Sequence, residues 1–281
     1  MKDRRLLASN GRFADVALRG EVDAEVFVTP EETCLVGTHW LHATPDGEVD
    51  RELLVGDAFD VIERRGDWAF GRAAKDGYCG WVRAAWLGPR QEPTHQVAVR
   101  TTWSYSSPDF KTPRVMPLHL SSNVEVVSTD GNWACITGAN GRLWVPERDL
   151  TTQKLGLVDA ARMLLGTPYV WAGNSGFGID CSGLVQVAAH AAGLACAPDS
   201  DLQEAMLGEQ LGAVAPLKAG DLIFWRRHVA LVTGADTLIH ANAHHMKVVE
   251  EPIVEAVSRI DETDTGPVTS RLRPAWLALK T

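Results

Sequence analysis

Two stretches of the chain repeat one rhythm of short β-rich runs and turn residues at a nearly fixed offset. Val61-Ile62, Gly66-Asp67, Trp68-Ala69-Phe70, Asp76-Gly77 and Gly80-Trp81-Val82 are answered by Glu125-Val126-Val127, Gly131-Asn132, Trp133-Ala134, Asn140-Gly141 and Leu143-Trp144-Val145. Val61 to Val126 and Trp68 to Trp133 are each 65 residues apart, and Trp81 to Trp144 is 63. Such a repeat, with strands closed by Gly, Asn and Asp turns, predicts two copies of one small all-β unit. It also gives a place to an unusual share of Trp, 10 residues against 7 Phe and 3 Tyr. Four of the Trp fall at matched positions, where a large ring is expected to fill an interior too narrow for a layered core. A ligand-binding role for the cluster is the alternative.

The pattern changes after Thr152. Leu155, Val158, Ala161, Met163, Leu164 and Leu165 have helical spacing, and Gly166-Thr167-Pro168 supplies a stop. The loop Tyr169-Val170-Trp171-Ala172-Gly173 and a Gly-rich stretch to Gly178 lead into Asp180-Cys181-Ser182-Gly183. Leu184, Val185, Ala188, Ala191 and Ala192 then share one apolar helical face ending near Gly193, with Asp180 as N-cap and Cys181 in the first turn. Asp221 to Trp225, His228 to Val232 and Thr237 to His240 read as strands. The expected organisation is an N-terminal segment with a first small β domain over 1–92, a second over 93–152, and an α+β domain over 153–281.

Several functions are argued against by composition. Acidic residues number 36 and basic ones 27, a net charge of −9. That opposes binding to nucleic acid or to an anionic membrane, which need clustered Lys and Arg. The five Cys, at 34, 79, 135, 181 and 196, are odd in number and lack CxxC spacing, so neither a disulfide framework nor a thiolate zinc site is expected. Met1 to Asn10 has basic residues but no apolar run behind them, and no later run is long enough to cross a bilayer; a cytoplasmic location is the expectation.

Cys181 is the candidate nucleophile. The first turn of a helix favours a thiolate through its unpaired N–H groups and its dipole, and the preceding glycines allow close substrate approach. A small, buried, inert Cys is the alternative. His228 starts an apolar strand where polar side chains are uncommon, and His240 follows 12 residues later on the next strand. An antiparallel hairpin sets them opposite or nearly opposite on one face. His228 could then take the Cys181 proton and later donate it to a leaving amine, while His240 fixes its tautomer. A Cys/His/His zinc site is a weaker reading because the short paired spacing is missing. His244 and His245 are expected at the surface. The Gly-rich stretch has neither the Gly-Lys-Ser/Thr nor the dinucleotide-binding spacing.

These residues resemble the NlpC/P60 family of papain-like cysteine peptidases. Tyr169-Val-Trp-Ala-Gly173 is similar to its YxWGG loop, Asp180-Cys-Ser-Gly183 to its DCSG motif, His228-Val-Ala-Leu-Val232 to its HVGIY-like strand, and His240-Ala241 to its third polar site. Ala172 and Ala230 stand where the family usually has Gly. Upstream, Leu41-His-Ala-Thr-Pro45, Glu48, Arg51 to Asp57, Gly66-Asp-Trp68 and Asp76-Gly-Tyr-Cys-Gly-Trp-Val82 resemble the first bacterial SH3 domain of the dipeptidyl-peptidase VI type.

The resemblance implies an α+β papain-like catalytic domain preceded by two small all-β SH3-like barrels. It implies a cytoplasmic γ-D-glutamyl-diamino acid endopeptidase that trims murein peptides with a free N-terminal L-Ala, releasing L-Ala-γ-D-Glu, with no metal or cofactor. Cys181, His228 and His240 would be catalytic. Tyr78, Asp180, Ser182 and an acidic residue of the first SH3 domain would hold the substrate; Glu48 matches that residue best, with Glu52 and Asp57 as alternatives. A cell-wall amidase or acyltransferase with the same Cys and His, or a non-catalytic murein-peptide-binding protein, are the other readings.

Overall fold

The computed structural model describes residues 3–276. The chain divides into two compact units, Met1–Thr152 and Gln153–Thr281.

In the N-terminal unit a seven-stranded sheet runs in the order Val49–Leu53, His39–His42, Cys79–Arg83, Trp68–Ala73, Ala58–Arg65, Glu31–Leu35, Leu87–Pro89. Leu53, Leu41, Val82, Ala69, Phe59 and Leu35 share one core, against which Leu87 packs, so all seven strands curl around a single interior. A five-stranded sheet (Arg114–His119, Thr101–Tyr105, Gly141–Pro146, Trp133–Gly138, Val126–Asp130) and a three-stranded one (Asn123–Val124, His95–Val97, Leu150–Thr151) enclose Val97, Leu118, Val124, Ile136 and Val145. Phe70 pairs with Trp81 in the first region and Cys135 with Trp144 in the second. The 65 and 63 offsets thus join equivalent positions of two hairpins, the second closed by a tighter turn.

The interior-filling role expected of Trp is overturned. Strand alternation turns Ala69 and Val82 inward and Trp68 and Trp81 to the opposite face. There the two indoles are buried with Ala8, Ile62 and Phe70, and Phe13, Leu18 and Val28 of the N-terminal segment pack over them. Trp133 and Trp144 are half-buried, also on the face away from Ile136 and Val145. Leu, Val and Phe suffice to fill so narrow an interior. The indoles instead give a flat outer surface on which Arg83 lies 4.1 Å from the Trp68 ring and Arg65 4.2 Å from that of Trp81.

The C-terminal unit has a six-stranded sheet in the order Gly208–Gln210, Ser270–Pro274, Leu222–Trp225, His228–Val232, Thr237–Asn242, Lys247–Pro252. Its helices are α1 (Leu157–Met163), α2 (Cys181–Ala191), α3 (Ser200–Met206) and α4 (Ile253–Asp261). The helix read from Leu155 onward begins at Leu157 and buries Leu157, Ala160, Ala161 and Leu164, leaving Met163 and Leu165 exposed. α2 is buried along almost its whole length. Its run of small residues, Ala188, Ala189 and Ala191, lets it lie between α1 and the sheet. Ile253, Ala256 and Ile260 of α4 pack on Ala230, Val232 and Leu238, so α4 covers the sheet face on which even-numbered residues of these strands project. Among the described residues no helix is long and apolar enough to cross a membrane.

Candidate active site

Asp180 caps α2. Its Oδ1 accepts from the Gly183 N–H at 2.7 Å and the Ser182 hydroxyl at 3.0 Å, and its Oδ2 accepts from the Ala172 N–H at 2.9 Å. One carboxylate therefore starts the helix and ties down the loop before it. A Cβ on Gly183 would fall 2.3 Å from Asn174 Oδ1 and 2.4 Å from the Gly173 carbonyl oxygen, so this position must be Gly for α2 to abut that loop. Cys181, the first residue of α2, is 6% exposed, and its Sγ lies 4.0 Å from the carbonyl oxygen of Arg227. The thiol thus reaches the sheet at the residue preceding His228.

The two histidines meet. Leu231 pairs with Ile239 and Val232 with Leu238, a register that sets Ala230 rather than His228 across from His240. His228 is the diagonal neighbour on the same face, and the stagger lets the rings join end to end, His228 Nε2 to His240 Nδ1 at 2.9 Å. His240 is fully buried, and its Nε2 lies 2.7 Å from Glu251 Oε1. Arg259 of α4 donates two N–H groups to the Glu251 carboxylate, at 2.6 and 2.7 Å. Glu251 and Arg259 were not anticipated from the sequence. The available signal was register: Val249 pairs with His240, so Glu251 shares its face, while Glu250 turns the other way to Arg162.

A cavity of about 420 Å³ opens beside this chain of residues, lined by Tyr169, Arg227, His228, His240, Asn242 and His244 among others. His244, expected only as a surface residue, is exposed but lines this cavity. Burial sets the protonation states. It pushes the Cys181 thiol up to about 12, with the neighbouring Asp180 carboxylate acting in the same direction and the N–H groups of Val229, Ser182 and Cys181 opposing. It pushes His228 down to about 3, and the nearby His240 and Arg259 add to the effect. Desolvation thus opposes the helix terminus that favours a thiolate, and both shifts point toward a neutral thiol and a neutral imidazole. Burial also raises Asp180 and lowers His240. Glu251 would be raised by burial, but the bonds from His240 and Arg259 hold it down to about 2.

Of the proposed substrate contacts, Ser182 is 9% exposed and donates its hydroxyl to Asp180. Tyr78, in the N-terminal unit, is 1% exposed in the core of the seven-stranded sheet, with the Arg51 guanidinium 5.2 Å from its ring. Glu48 is exposed at the end of a turn. Asp57 is buried and accepts from the Leu54 N–H and from Lys75, which makes it a turn-holding carboxylate. Glu52 is half-buried on the Val49–Leu53 strand. Among the described residues no three His, Cys, Asp or Glu side chains come together as a metal-holding set.

A thiol at the start of a buried helix, set against a strand that opens on a paired imidazole, is the arrangement that a cysteine hydrolase needs. Residues 166–265 match the NlpC/P60 family, and residues 41–87 match the bacterial dipeptidyl-peptidase Sh3 domain. The chain is 26% identical over 237 residues to a gamma-D-glutamyl-L-lysine dipeptidyl-peptidase of Bacillus cereus, covering 72% of this chain and 69% of that one. It is 26% identical over 231 residues to dipeptidyl-peptidase 6 of Lysinibacillus sphaericus, covering 72% and 84% respectively. The crystal structure of an NlpC/P60 family protein from Bacillus cereus shares the fold, with a TM-score of 0.71 at 21% identity over 87% of this chain and 99% of that one. Residues 166–265 are thus an NlpC/P60 cysteine peptidase domain, and residues 41–87 a bacterial dipeptidyl-peptidase SH3 domain.

Proposed function

We propose that the protein hydrolyses the γ-D-glutamyl-diamino acid bond of murein stem peptides bearing a free N-terminal L-Ala, and releases L-Ala-γ-D-Glu for reuse. The observation that carries this reading is the Cys181 thiol at the head of α2, beside a strand that opens on the His228–His240 pair, in a chain with a relative named as a gamma-D-glutamyl-L-lysine dipeptidyl-peptidase.

In this reading His228 removes the Cys181 proton as the sulfur attacks the γ-carbonyl, which suits a resting pair that is neutral. The N–H groups at the start of α2, including that of Cys181, face the charge that develops on oxygen. His228 then protonates the departing diamino acid amine, and water cleaves the thioester. His240 orients His228. Asp180 and Ser182 recognise the ammonium of L-Ala, a role that the family resemblance also assigns to Tyr78 and Glu48. Asp180 is half-buried and desolvation raises its carboxyl, which supports the choice of a cationic partner, because a partly desolvated carboxylate gains from one.

The equivalent hairpin registers support reading residues 1–92 and 93–152 as two SH3-like domains before a papain-like domain at 153–281. Five buried, unbridged cysteines suit the reducing, cytoplasmic setting of this proposal, and the net charge of −9 suits soluble peptides over nucleic acid or membrane.

Incubation with L-Ala-γ-D-Glu-diaminopimelate and L-Ala-γ-D-Glu-L-Lys, each with a free or an acetylated N-terminus, tests the proposal. Release of L-Ala-D-Glu from the free forms only is expected. Equal turnover of the acetylated forms would remove amine recognition and favour an amidase.

A further inference from the structure

Beyond the Cys181, His228 and His240 set, we infer that Glu251, clamped by Arg259, is a positioning residue that sets the tautomers of both histidines and so leaves His228 Nδ1 as the nitrogen that takes the thiol proton. The inference rests on the reading of His228 as the base.

The hydrogen-bond chain has one consistent direction. A carboxylate that already accepts two N–H groups from Arg259 can only accept from His240, so the His240 proton sits on Nε2. His240 Nδ1 then carries the lone pair and must accept across the 2.9 Å contact, which places the His228 proton on Nε2. The remaining His228 nitrogen, Nδ1, is basic. Reversing the chain at Glu251 would move the His228 proton to Nδ1 and abolish the base.

The Arg259 clamp shows which property of Glu251 matters. A bidentate guanidinium offsets most of the carboxylate charge seen by the rings, so the pair acts on them chiefly through direction and less through field. It also fixes the carboxylate on the sheet face that carries His240. His240 is 0% exposed, which denies its ring the water that would otherwise permit either tautomer.

The test is imidazole ¹⁵N NMR of the full chain at neutral pH, paired with kinetics on the free-amine tripeptide. The unmodified chain should show His228 and His240 both protonated on Nε2. In Glu251→Gln the amide can donate to His240 Nε2, so the Nδ1–H forms should become populated, with kcat falling by about 10²- to 10⁴-fold and KM changing little. Glu251→Asp, which keeps an acceptor-only group, should restore the Nε2–H forms and part of kcat. Unaltered tautomers in Glu251→Gln, or altered tautomers with unaltered kcat, would overturn the inference. Absence of cleavage by the unmodified chain would fail the reading of the site instead, while the spectra would still report whether Glu251 directs the rings.

Discussion

The Ala172 N–H donates to the Asp180 carboxylate over 2.9 Å, and it does so from a left-handed backbone at φ 65°. The bond that ties the loop to the head of α2 thus requires a conformation that glycine adopts freely and alanine does not. This explains why the related loop motif carries Gly there. Ala172→Gly should raise stability by about 1 kcal/mol, the relieved strain partly offset by a looser unfolded chain. Equilibrium urea unfolding followed by a probe in the C-terminal unit measures it, and an unchanged or lower midpoint would oppose the strain assignment.

The resting state of the nucleophile can be read kinetically. With Cys181 pushed up to about 12 and His228 down to about 3, the thiol proton must move during attack. Acylation by the free-amine tripeptide, followed in a rapid-mixing experiment, should be slower in D₂O than in H₂O. An acylation rate indifferent to deuterium would mean that the thiolate and imidazolium are already formed.

His119 links stability to pH in the N-terminal unit. It is 1% exposed, and burial lowers its pKa from 6.5 to about 4. Above pH 6.5 neither the folded nor the unfolded state protonates this ring, so its contribution is constant. As the pH falls from 6.5 toward 4 the unfolded state gains a proton that the folded state refuses, and stability is lost. The loss from this group amounts to about 3 kcal/mol. His119→Gln should flatten the decline by that amount in denaturation series between pH 7 and about 4; parallel curves for the two proteins would contradict it.

What could be read from the sequence divides along physical lines. The N-cap at Asp180, the head of α2 and the His-bearing hairpin depend on neighbours within a few residues, and all were legible. The Trp repeat was legible as a repeat, but its role was not. Whether Trp68 faces in or out depends on the pleat relative to Ala69, and a covering segment around Phe13, Leu18 and Val28 made the outer face as dry as the inner one. Glu251 and Arg259 reach His240 through sheet register and helix docking, which no local pattern encodes. The helix terminus that favours a thiolate at Cys181 is visible in sequence, and the burial that opposes it is not.

The central claim is that Cys181 forms the bond to the substrate. The most direct measurement is the rate of L-Ala-D-Glu release from L-Ala-γ-D-Glu-L-Lys by the full chain and by Cys181→Ala, with melting curves to confirm that both are folded. The variant should melt with the parent and lose at least about 10⁴-fold in kcat, as expected when a covalent nucleophile is removed. A variant that stays within about tenfold of the parent would contradict the account.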